Sequence, residues 1–379
     1  MDVTTSSELK SAPRIALYID PPSHHFLRDR LFDPSTNPLS GDNILAPFLL
    51  VREHFTRQGI PVHTADLMPA EPDDVRKIYV SLGRVADYER LARRPDVTLS
   101  AFFAFECPIV EPSLYAALPA VQRHVRRIMC FSDAASLAPF TGTSIRVERF
   151  IWPQCLDGVH ETAWARTDRG FLTMINANKL PRLYRAELYT ARLKAVEYFH
   201  GFGEIDLYGK AWKRAPMRVG RSWVPWTFRR IYDALWEAKQ RRWPNPVYAA
   251  VAAASKGTVA SKSETLSRYK FAICFENMIL PGWITEKIFD CFAAGCVPVY
   301  WGAPEVTDSI PAESFIDMRQ FEGFADLRRF LHGLTPQRIA RHRDAARAFF
   351  ESPAYDPFRP QGFLEHFRRF MRDDAGVKT

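Results

Sequence analysis

The chain alternates between short apolar runs and segments of helical periodicity, and no other feature of the sequence restricts its fold as much. Runs with the composition of strands occupy 14–20 (RIALYID), 97–105 (VTLSAFFAF) and 269–275 (YKFAICF). The second run is apolar on both faces, which is typical of a strand in a parallel sheet covered by helices. Apolar residues recur at helical spacing in 45–58 and 284–294. Because such helices alternate with the runs in both halves, the pattern predicts an α/β fold with two open parallel sheets.

The length of 379 residues predicts two or three domains. We place an N-terminal α/β domain at 1–165, a second one at 166–345, and terminal helices at 346–379. The last segment carries three phenylalanines at helical spacing (FLEHFRRF). We therefore predict that this final helix folds back onto the N-terminal domain. The first 12 residues are polar and are expected to fray.

Basic residues moderately outnumber acidic ones, with 51 Lys and Arg against 43 Asp and Glu and a net charge of +8. This excess suits an anionic partner such as a nucleotide, a nucleic acid or a membrane surface. The N-terminus has no apolar signal-peptide core, and no run reaches the roughly 18 apolar residues of a membrane span. None of the six cysteines forms a CxxC pair. Together these features predict a cytoplasmic protein in a reducing compartment.

The segment 211–243 is rich in both tryptophan and basic residues. It holds five of the nine tryptophans and nine basic residues, opposed only by Asp233 and Glu237. Interleaved Trp and Arg suit base stacking, a membrane surface or a sugar. The alternative interpretation is an amphipathic helical insertion with a solvated basic face. We predict that the segment contacts a membrane, peripherally at its inner face, or an extended acceptor.

The strongest indication of function lies at 268–315, which predicts a strand, a loop, a helix and another strand. Gly282 precedes the helix, and Glu286 and Lys287 stand in its first turn. A helix N-terminus suits a phosphate because its N–H groups are unpaired and partly positive, and a lysine adds a full charge. The stretch therefore predicts a nucleotide diphosphate site that lacks the Walker A and G-x-G-x-x-G patterns. Taken alone, Glu286 could simply be a partner of the helix dipole, and Lys287 could be a solvated surface residue.

Four pieces of this block are similar, in content and order, to the donor-binding motif of the α1,3/4-fucosyltransferases: YKFAICFEN, WITEKIFDCF, GCVPVYWGAPEV and IPAESFI. Three more pieces resemble elements of that family, namely FECP at 105–108, INANKLPRLYRAELY at 175–189 and IDLYGKAW at 205–212. The first 95 residues carry no such motif. Because neither an N-terminal membrane anchor nor a heptad-repeat tail is evident, the chain resembles the soluble bacterial members.

The resemblance implies a GT-B architecture, in which two Rossmann-like domains with parallel sheets face each other across a cleft. It also implies an inverting transfer of L-fucose from GDP-fucose to a hydroxyl of a glycan that contains N-acetylglucosamine, with an α1,3 or α1,4 linkage. GDP-fucose is then a substrate, and neither a cofactor nor a metal is expected, since the sequence contains no D-x-D. Nucleic acid is not expected as a partner, and the oligomeric state is not implied.

By position, the resemblance assigns Glu106 as the general base, with Glu111 as the alternative carboxylate. The expected donor-binding residues are Arg185, Asn277, Trp283, Glu286 and Lys287, and Arg182 is the alternative to Arg185 because three residues make about one helical turn. Tyr208, Lys270 and Glu276 are expected either as outer donor contacts or in structural roles. His24 and His25, within the polar segment 21–43, are either acceptor contacts or ordinary loop histidines.

Three alternatives to fucose transfer stay open. A GT-B enzyme could use a different GDP-sugar, because the residues that select the sugar are not evident from the sequence. A nucleic-acid-binding protein would explain the basic excess and would leave the block at 268–315 unexplained. A non-catalytic module that binds glycans or nucleotides would need no general base, so Glu106 distinguishes it from an enzyme.

Overall fold

The computed structural model describes residues 14–36, 43–83, 87–219 and 228–377. Parts of the polar segment after the first strand and of the Trp- and Arg-rich segment lie outside the described residues, as do the first 12 residues. The described residues form a six-stranded parallel sheet in each half of the chain, together with a two-stranded ribbon. This result confirms the predicted α/β fold.

The strands of the N-terminal sheet pair in the order β2-β1-β3-β4-β5-β6. They are β1 (Ile15–Asp20), β2 (Val62–Thr64), β3 (Arg76–Ser81), β4 (Val97–Ala104), β5 (Arg127–Cys130) and β6 (Glu148–Arg149). The helices of this half are α1 (Ala46–Arg57), α2 (Tyr88–Leu91), α3 (Pro112–Val121) and α4 (Ala134–Thr141). From Leu99 onward every residue of β4 is buried, as expected for a strand that is apolar on both faces. Asp133 caps α4, and Gly142 ends it in the left-handed conformation.

The C-terminal sheet has the order β11-β9-β7-β12-β13-β14. Its strands are β7 (Gly170–Ile175), β9 (Ile205–Tyr208), β11 (Ser255–Gly257), β12 (Tyr269–Phe275), β13 (Val297–Trp301) and β14 (Ile316–Asp317). The ribbon pairs β8 (Lys179–Leu180) with β10 (Met217–Arg218). When the six strands of this sheet are numbered in chain order from β7, their spatial order is 3-2-1-4-5-6, which is that of a dinucleotide-binding Rossmann sheet. The switch point lies between β7 and β12.

The remaining helices cover this second sheet and return to the first one. They are α5 (Glu161–Trp164), α6 (Tyr189–His200), α7 (Arg229–Arg242), α8 (Pro246–Ala254), α9 (Lys262–Ser267), α10 (Glu286–Ala293), α11 (Phe324–Gly333), α12 (Pro336–Glu351) and α13 (Pro360–Ala375). Two of them begin with an N-cap residue followed by proline: Asn245 accepts two backbone hydrogen bonds ahead of α8, and Thr335 accepts one ahead of α12.

The sequence also predicts a helix at about 182–199, and this prediction is wrong at its start, because α6 begins only at Tyr189. Ala186 has a φ of 51°, in the left-handed region, and its carbonyl accepts a hydrogen bond from the Ile279 backbone N–H. Glu187 also forms an antiparallel bridge with Met278. Because the backbone before Tyr189 pairs with another loop, it cannot make the hydrogen bonds of a helix, and Arg182 and Arg185 are not one helical turn apart.

The final helix, α13, packs on the N-terminal sheet. Its three spaced phenylalanines are buried, and Phe363 and Phe367 lie 5.6 and 6.0 Å from the ring of Phe103 in β4. Near the end of the helix, the buried carboxylate of Asp374 accepts hydrogen bonds from Ser100 and Arg127, both at 2.6 Å. The two ends of the described chain therefore share one domain.

The described chain crosses between the two domains twice, at 150–169 and at 352–359. The crossings lie against each other. The Gln154 backbone N–H donates to the Phe358 carbonyl at 2.6 Å, and the Tyr355 hydroxyl donates to the Leu156 carbonyl at 2.9 Å. The two connections thus form one hydrogen-bonded junction between the domains.

Candidate active site

A cavity of about 550 Å³ lies between the domains, at the carboxyl ends of both sheets. The N-terminal domain lines it with residues that follow β4, β5 and β6, and the C-terminal domain with residues that follow β7 and β12. Since the C-terminal strand order reverses between β7 and β12, the cavity includes the switch point where open α/β sheets bind ligands. The first turn of α10 completes this wall.

Glu106 lines the cavity from the turn that follows β4. Its backbone carbonyl accepts a hydrogen bond from the Tyr115 hydroxyl at 2.7 Å, which ties this turn to α3. Burial raises the pKa of the Glu106 carboxyl to about 7, and the charge of Lys287, which acts in the opposite direction, does not offset that effect. A carboxyl with this pKa is suited to accepting a proton near neutral pH.

The N-terminus of α10 is organised by the buried carboxylate of Glu276. This carboxylate accepts hydrogen bonds from the Thr285 backbone N–H at 2.8 Å and from the Lys287 ammonium at 2.9 Å. Burial would lower the pKa of Lys287, but the carboxylates of Glu276 and Glu286 raise it above its ordinary value. A permanent positive charge is therefore fixed at a helix N-terminus that already favours anions.

Glu286 lines the same part of the cavity, and its side chain is 45% exposed. Partial loss of solvent at the cavity wall would raise the pKa of this carboxyl, but the charges of Lys287 and Lys262 lower it to about 2. Lys262 also donates to Asp290 at 3.1 Å. A carboxylate that stays ionised is a strong acceptor for hydroxyl groups.

Arg192 is a cavity residue that the sequence analysis missed. It lies in the first turn of α6 and is 3% exposed. Its guanidinium donates to the Phe275 carbonyl at 3.1 and 2.6 Å and to Oδ1 of Asn277 at 3.1 Å. These contacts fix the loop after β12, which carries Glu276 and Asn277. No motif in the sequence marked Arg192 as a residue that faces the cavity.

Four aromatic side chains line the side of the cavity that faces the N-terminal domain: Phe105, Phe131, Trp152 and Trp283. Their ring centroids are 4.9 Å apart for Phe105 and Trp152, and 4.5 Å apart for Phe131 and Trp283. Within the described part of the chain, the buried indole nitrogen of Trp283 has no hydrogen-bond partner. Such a wall offers flat apolar surfaces, which suit a sugar ring. Of the four, only Trp283 was predicted.

The predicted arginines lie outside the cavity lining. Arg182 and Arg185 are both exposed. The guanidinium carbon of Arg185 lies 5.6 Å from the ring centroid of Phe140, which belongs to α4 of the N-terminal domain. The Arg185 side chain therefore reaches from one domain to the other.

The other predicted residues are also away from the cavity. The Tyr208 hydroxyl hydrogen-bonds to the Tyr269 hydroxyl at 2.9 Å, and Lys270 is exposed on β12. His24 and His25 are exposed, and Nε2 of His25 is 2.9 Å from the Thr36 carbonyl. Glu111, the alternative carboxylate, is exposed at the start of α3. The structure thus brings together Glu106, Asn277, Trp283, Glu286 and Lys287, with Glu276 directly beneath Lys287.

Gly282 offers a test of how tightly the cavity wall is fixed. It has a φ of 77°, and an added Cβ would lie 1.9 Å from the Phe131 carbonyl oxygen in the other domain. We expect Gly282→Ala to lower the free energy of unfolding by about 3 kcal/mol, because a backbone atom cannot move aside as a side chain can. Gly203→Ala is the matched control, since Gly203 has a φ of 67° and open space around it. Equal urea midpoints for the two variants would contradict the close contact.

The described residues include neither a cluster of metal-ligand side chains nor a helix that could span a membrane. Across that part of the chain, no group of three or more His, Cys, Asp and Glu side chains is placed to hold a metal ion. No helix in these same ranges has the length and apolar character needed to cross a bilayer.

The fold and the cavity together define a class of protein. Two Rossmann-like parallel sheets direct their carboxyl ends toward one cavity, which is the arrangement of the GT-B glycosyltransferases. Residues 240–349 match the family model described as glycosyltransferase family 10 (fucosyltransferase), C-terminal. Over these residues the chain is similar to the fucosyltransferases of glycosyltransferase family 10, which confirms the resemblance found in the sequence.

Curated relatives match over short stretches of the chain. The alpha-(1,3)-fucosyltransferase of Helicobacter pylori is 40% identical over 77 residues, which are 20% of this chain and 16% of that protein. The GDP-fucose protein O-fucosyltransferase 3 of Xenopus laevis is 40% identical over 70 residues, or 18% of this chain and 15% of that protein. The matches thus span less than a fifth of the length of either relative. Among solved structures, that of an alpha1,3-fucosyltransferase aligns with 100% of this chain and 94% of its own, at 14% identity and a TM-score of 0.48.

Proposed function

We propose that the chain is an inverting fucosyltransferase that transfers L-fucose from GDP-fucose to a glycan hydroxyl. The observation that carries this proposal is the meeting of Glu106 and Lys287 in one cavity between two Rossmann-like domains. Lys287 lies within the segment that matches the fucosyltransferase family model. Glu106 comes from the opposite domain, as a base that acts on a second substrate would.

Inversion needs a single displacement at the anomeric carbon. In the proposed reaction, the acceptor oxygen forms its bond to that carbon as the bond to GDP breaks, and Glu106 takes the hydroxyl proton. The leaving diphosphate gains negative charge, which Lys287 and the α10 N-terminus would neutralise. We propose that this fixed positive charge replaces a metal ion.

Donor binding would use the residues around the switch point. We propose that Glu286 accepts hydrogen bonds from nucleotide hydroxyls, ribose being favoured, and that Asn277 and Trp283 contact the donor. Arg192 would hold the Asn277 loop in place. Arg185 remains a proposed diphosphate contact, and this role requires its guanidinium to leave the ring of Phe140.

We propose a glycan containing N-acetylglucosamine as the acceptor and an α1,3 linkage. The name of the Helicobacter pylori relative supports the linkage, and the aromatic wall supports a sugar ring beside Glu106. We also propose a cytoplasmic location, which the free thiols of all six cysteines support. A panel of glycans, each tested for transfer and for linkage by NMR of the product, decides the acceptor.

The donor is tested by calorimetric titration of the full chain with GDP, GDP-fucose, GDP-mannose and UDP-galactose, each with and without EDTA. We expect GDP and GDP-fucose to bind, and EDTA to leave both affinities unchanged. Binding of GDP-mannose in preference to GDP-fucose would replace fucose with another GDP-sugar. Binding of UDP-galactose without GDP, or binding lost in EDTA, would overturn the proposed donor site or its metal independence.

A further inference from the structure

The exposed apolar side chains of this protein are concentrated in one region. Of the eleven large apolar residues exposed among the described residues, eight come from three neighbouring segments: Leu183, Tyr184, Met217, Phe228, Ile231, Tyr232, Leu235 and Trp243. We call this set the basic apolar surface. Isolated exposed apolar residues are normal on a protein surface, whereas a cluster of this kind marks an interaction site.

Helix α7 provides the centre of the basic apolar surface, and it packs only loosely on the rest of the protein. None of its described residues is buried. Asp233, Trp236 and Gln240 face inward and are half-buried, and the Trp236 ring lies 5.4 Å from that of Tyr248 in α8. Ile231 and Leu235 lie one turn apart on another side and are 57% and 66% exposed. An apolar stripe on a helix that faces away from the described core is typical of a surface that contacts a partner.

The surface is continuous between the three segments because Arg218 joins them. Arg218 donates hydrogen bonds to the Tyr184 hydroxyl at 2.5 Å and to the Pro181 carbonyl at 3.0 Å. It also lines a hollow that contains Tyr232 and Trp243. Residues before α6, in β10 and on α7 therefore form one surface.

The charge of the surface is strongly positive. Its exposed basic residues are Lys213, Arg214, Arg218, Arg230, Lys239, Arg241 and Arg242, and the acidic residues of the same stretch are Asp233 and Glu237. The guanidinium carbon of Arg242 lies 5.3 Å from the Trp243 ring centroid. Basic side chains beside exposed Trp, Phe and Leu are typical of helices that lie in the interface of an anionic bilayer.

Two other partners fit the surface less well. Nucleic acid would use the basic residues and the aromatic rings, but it would leave the aliphatic stripe of Ile231 and Leu235 in water. Protein interfaces are depleted of lysine and of charge at their centres, whereas Lys239 lies on the same helix as Ile231 and Leu235. A bilayer interface satisfies both kinds of side chain at once, because acyl chains and anionic headgroups are only a few ångströms apart.

We propose that the basic apolar surface binds the anionic phospholipid face of a membrane, with α7 lying in the interface plane. This inference goes beyond the proposed function and does not depend on it. The cavity lies close to the bound surface, since Lys179 lines the cavity and pairs in register with Met217 of the surface. Membrane binding would thus hold the cavity beside acceptors at the membrane.

The test is co-sedimentation of the full chain with two kinds of vesicle, phosphatidylcholine alone and phosphatidylcholine with phosphatidylglycerol at three to one. We expect binding to the anionic vesicles only, weakened at high salt. Leu235→Ser should lower the partition coefficient about tenfold or more, because an inserted side chain is lost. Replacing Lys239 and Arg242 with glutamine should lower it about fivefold per residue.

Leu67→Ser is the matched control, since Leu67 is also exposed, at 47%, and lies outside the basic apolar surface. Its partition coefficient should equal that of the unmodified chain. Circular dichroism and GDP titration of each variant show whether it is folded. The proposal is overturned if the unmodified chain binds neither vesicle, or if Leu235→Ser binds as well as Leu67→Ser. It is also overturned if Leu235→Ser alters the oligomeric state in sedimentation, because the surface would then join copies of the chain.

Discussion

Glu106→Gln is expected to lower kcat by about 10²- to 10⁴-fold, while the dissociation constant for GDP changes by no more than about twofold. Glutamine keeps the shape of the side chain and cannot accept the proton of the acceptor hydroxyl. Steady-state kinetics and calorimetry on the same preparation measure both quantities. Glu111→Gln is the control, because Glu111 is an exposed carboxylate of the same turn region. A large loss in Glu111→Gln with normal turnover in Glu106→Gln would move the base to Glu111.

The same substitution has a pH signature. Because the pKa of Glu106 is about 7, kcat/KM of the unmodified chain should rise as the pH rises through about 7. The ordinary value is 4.5, so between these two values the folded chain holds a proton that the unfolded chain has released. The free energy of unfolding therefore falls as the pH rises from 4.5 to about 7 and this proton is released from the folded chain. Glu106→Gln should therefore be more stable than the unmodified chain at pH 8, by about 1–3 kcal/mol, and no more stable at pH 4.5.

Lys287→Met is expected to have the second large effect, on both donor binding and stability. Loss of the ammonium should weaken GDP binding about tenfold or more and lower kcat by about 10²- to 10³-fold. Glu276 is fully buried and would lose its cationic partner. Removing one member of a buried ion pair costs about 3–5 kcal/mol, so the variant should unfold at a clearly lower urea concentration.

A double variant separates the two effects of Lys287. In Lys287→Met/Glu276→Gln, the buried charge is gone, and the amide oxygen can still accept hydrogen bonds from Thr285. Stability should recover most of the loss, whereas GDP affinity and turnover should stay low. If turnover recovered along with stability, Lys287 would serve only to pair with Glu276, and the donor-binding role would be wrong.

The sequence predicted the C-terminal sheet better than it predicted the surroundings of the cavity. Strand β12 starts and ends where the apolar run at 269–275 does, because a strand covered on both faces leaves little choice of residue. The position of Lys287 followed from the helix start that Gly282 marks. Local pattern was sufficient in both cases.

Residues that depend on tertiary contacts were missed. Arg192 faces the cavity because the backbone at Ala186 pairs with the loop after β12, and an alanine in the left-handed region has no sequence signal. Trp152 joins the aromatic wall from a crossing segment without helix or strand. Arg185 was expected at the diphosphate and lies instead against Phe140, across the domain interface. Each of these contacts joins segments that are far apart in the sequence.

The double crossing between the domains limits how they can move. Two domains joined by one linker can rotate in any direction, but here the second connection lies hydrogen-bonded against the first, at Gln154 and Tyr355. Two adjacent connections favour rotation of one domain relative to the other about a single axis. Because the cavity lies between the two domains, such swinging would widen or narrow its entrance without sliding Glu106 sideways past Lys287. Rotation about this axis would therefore change the width of the entrance and keep Glu106 aligned with Lys287.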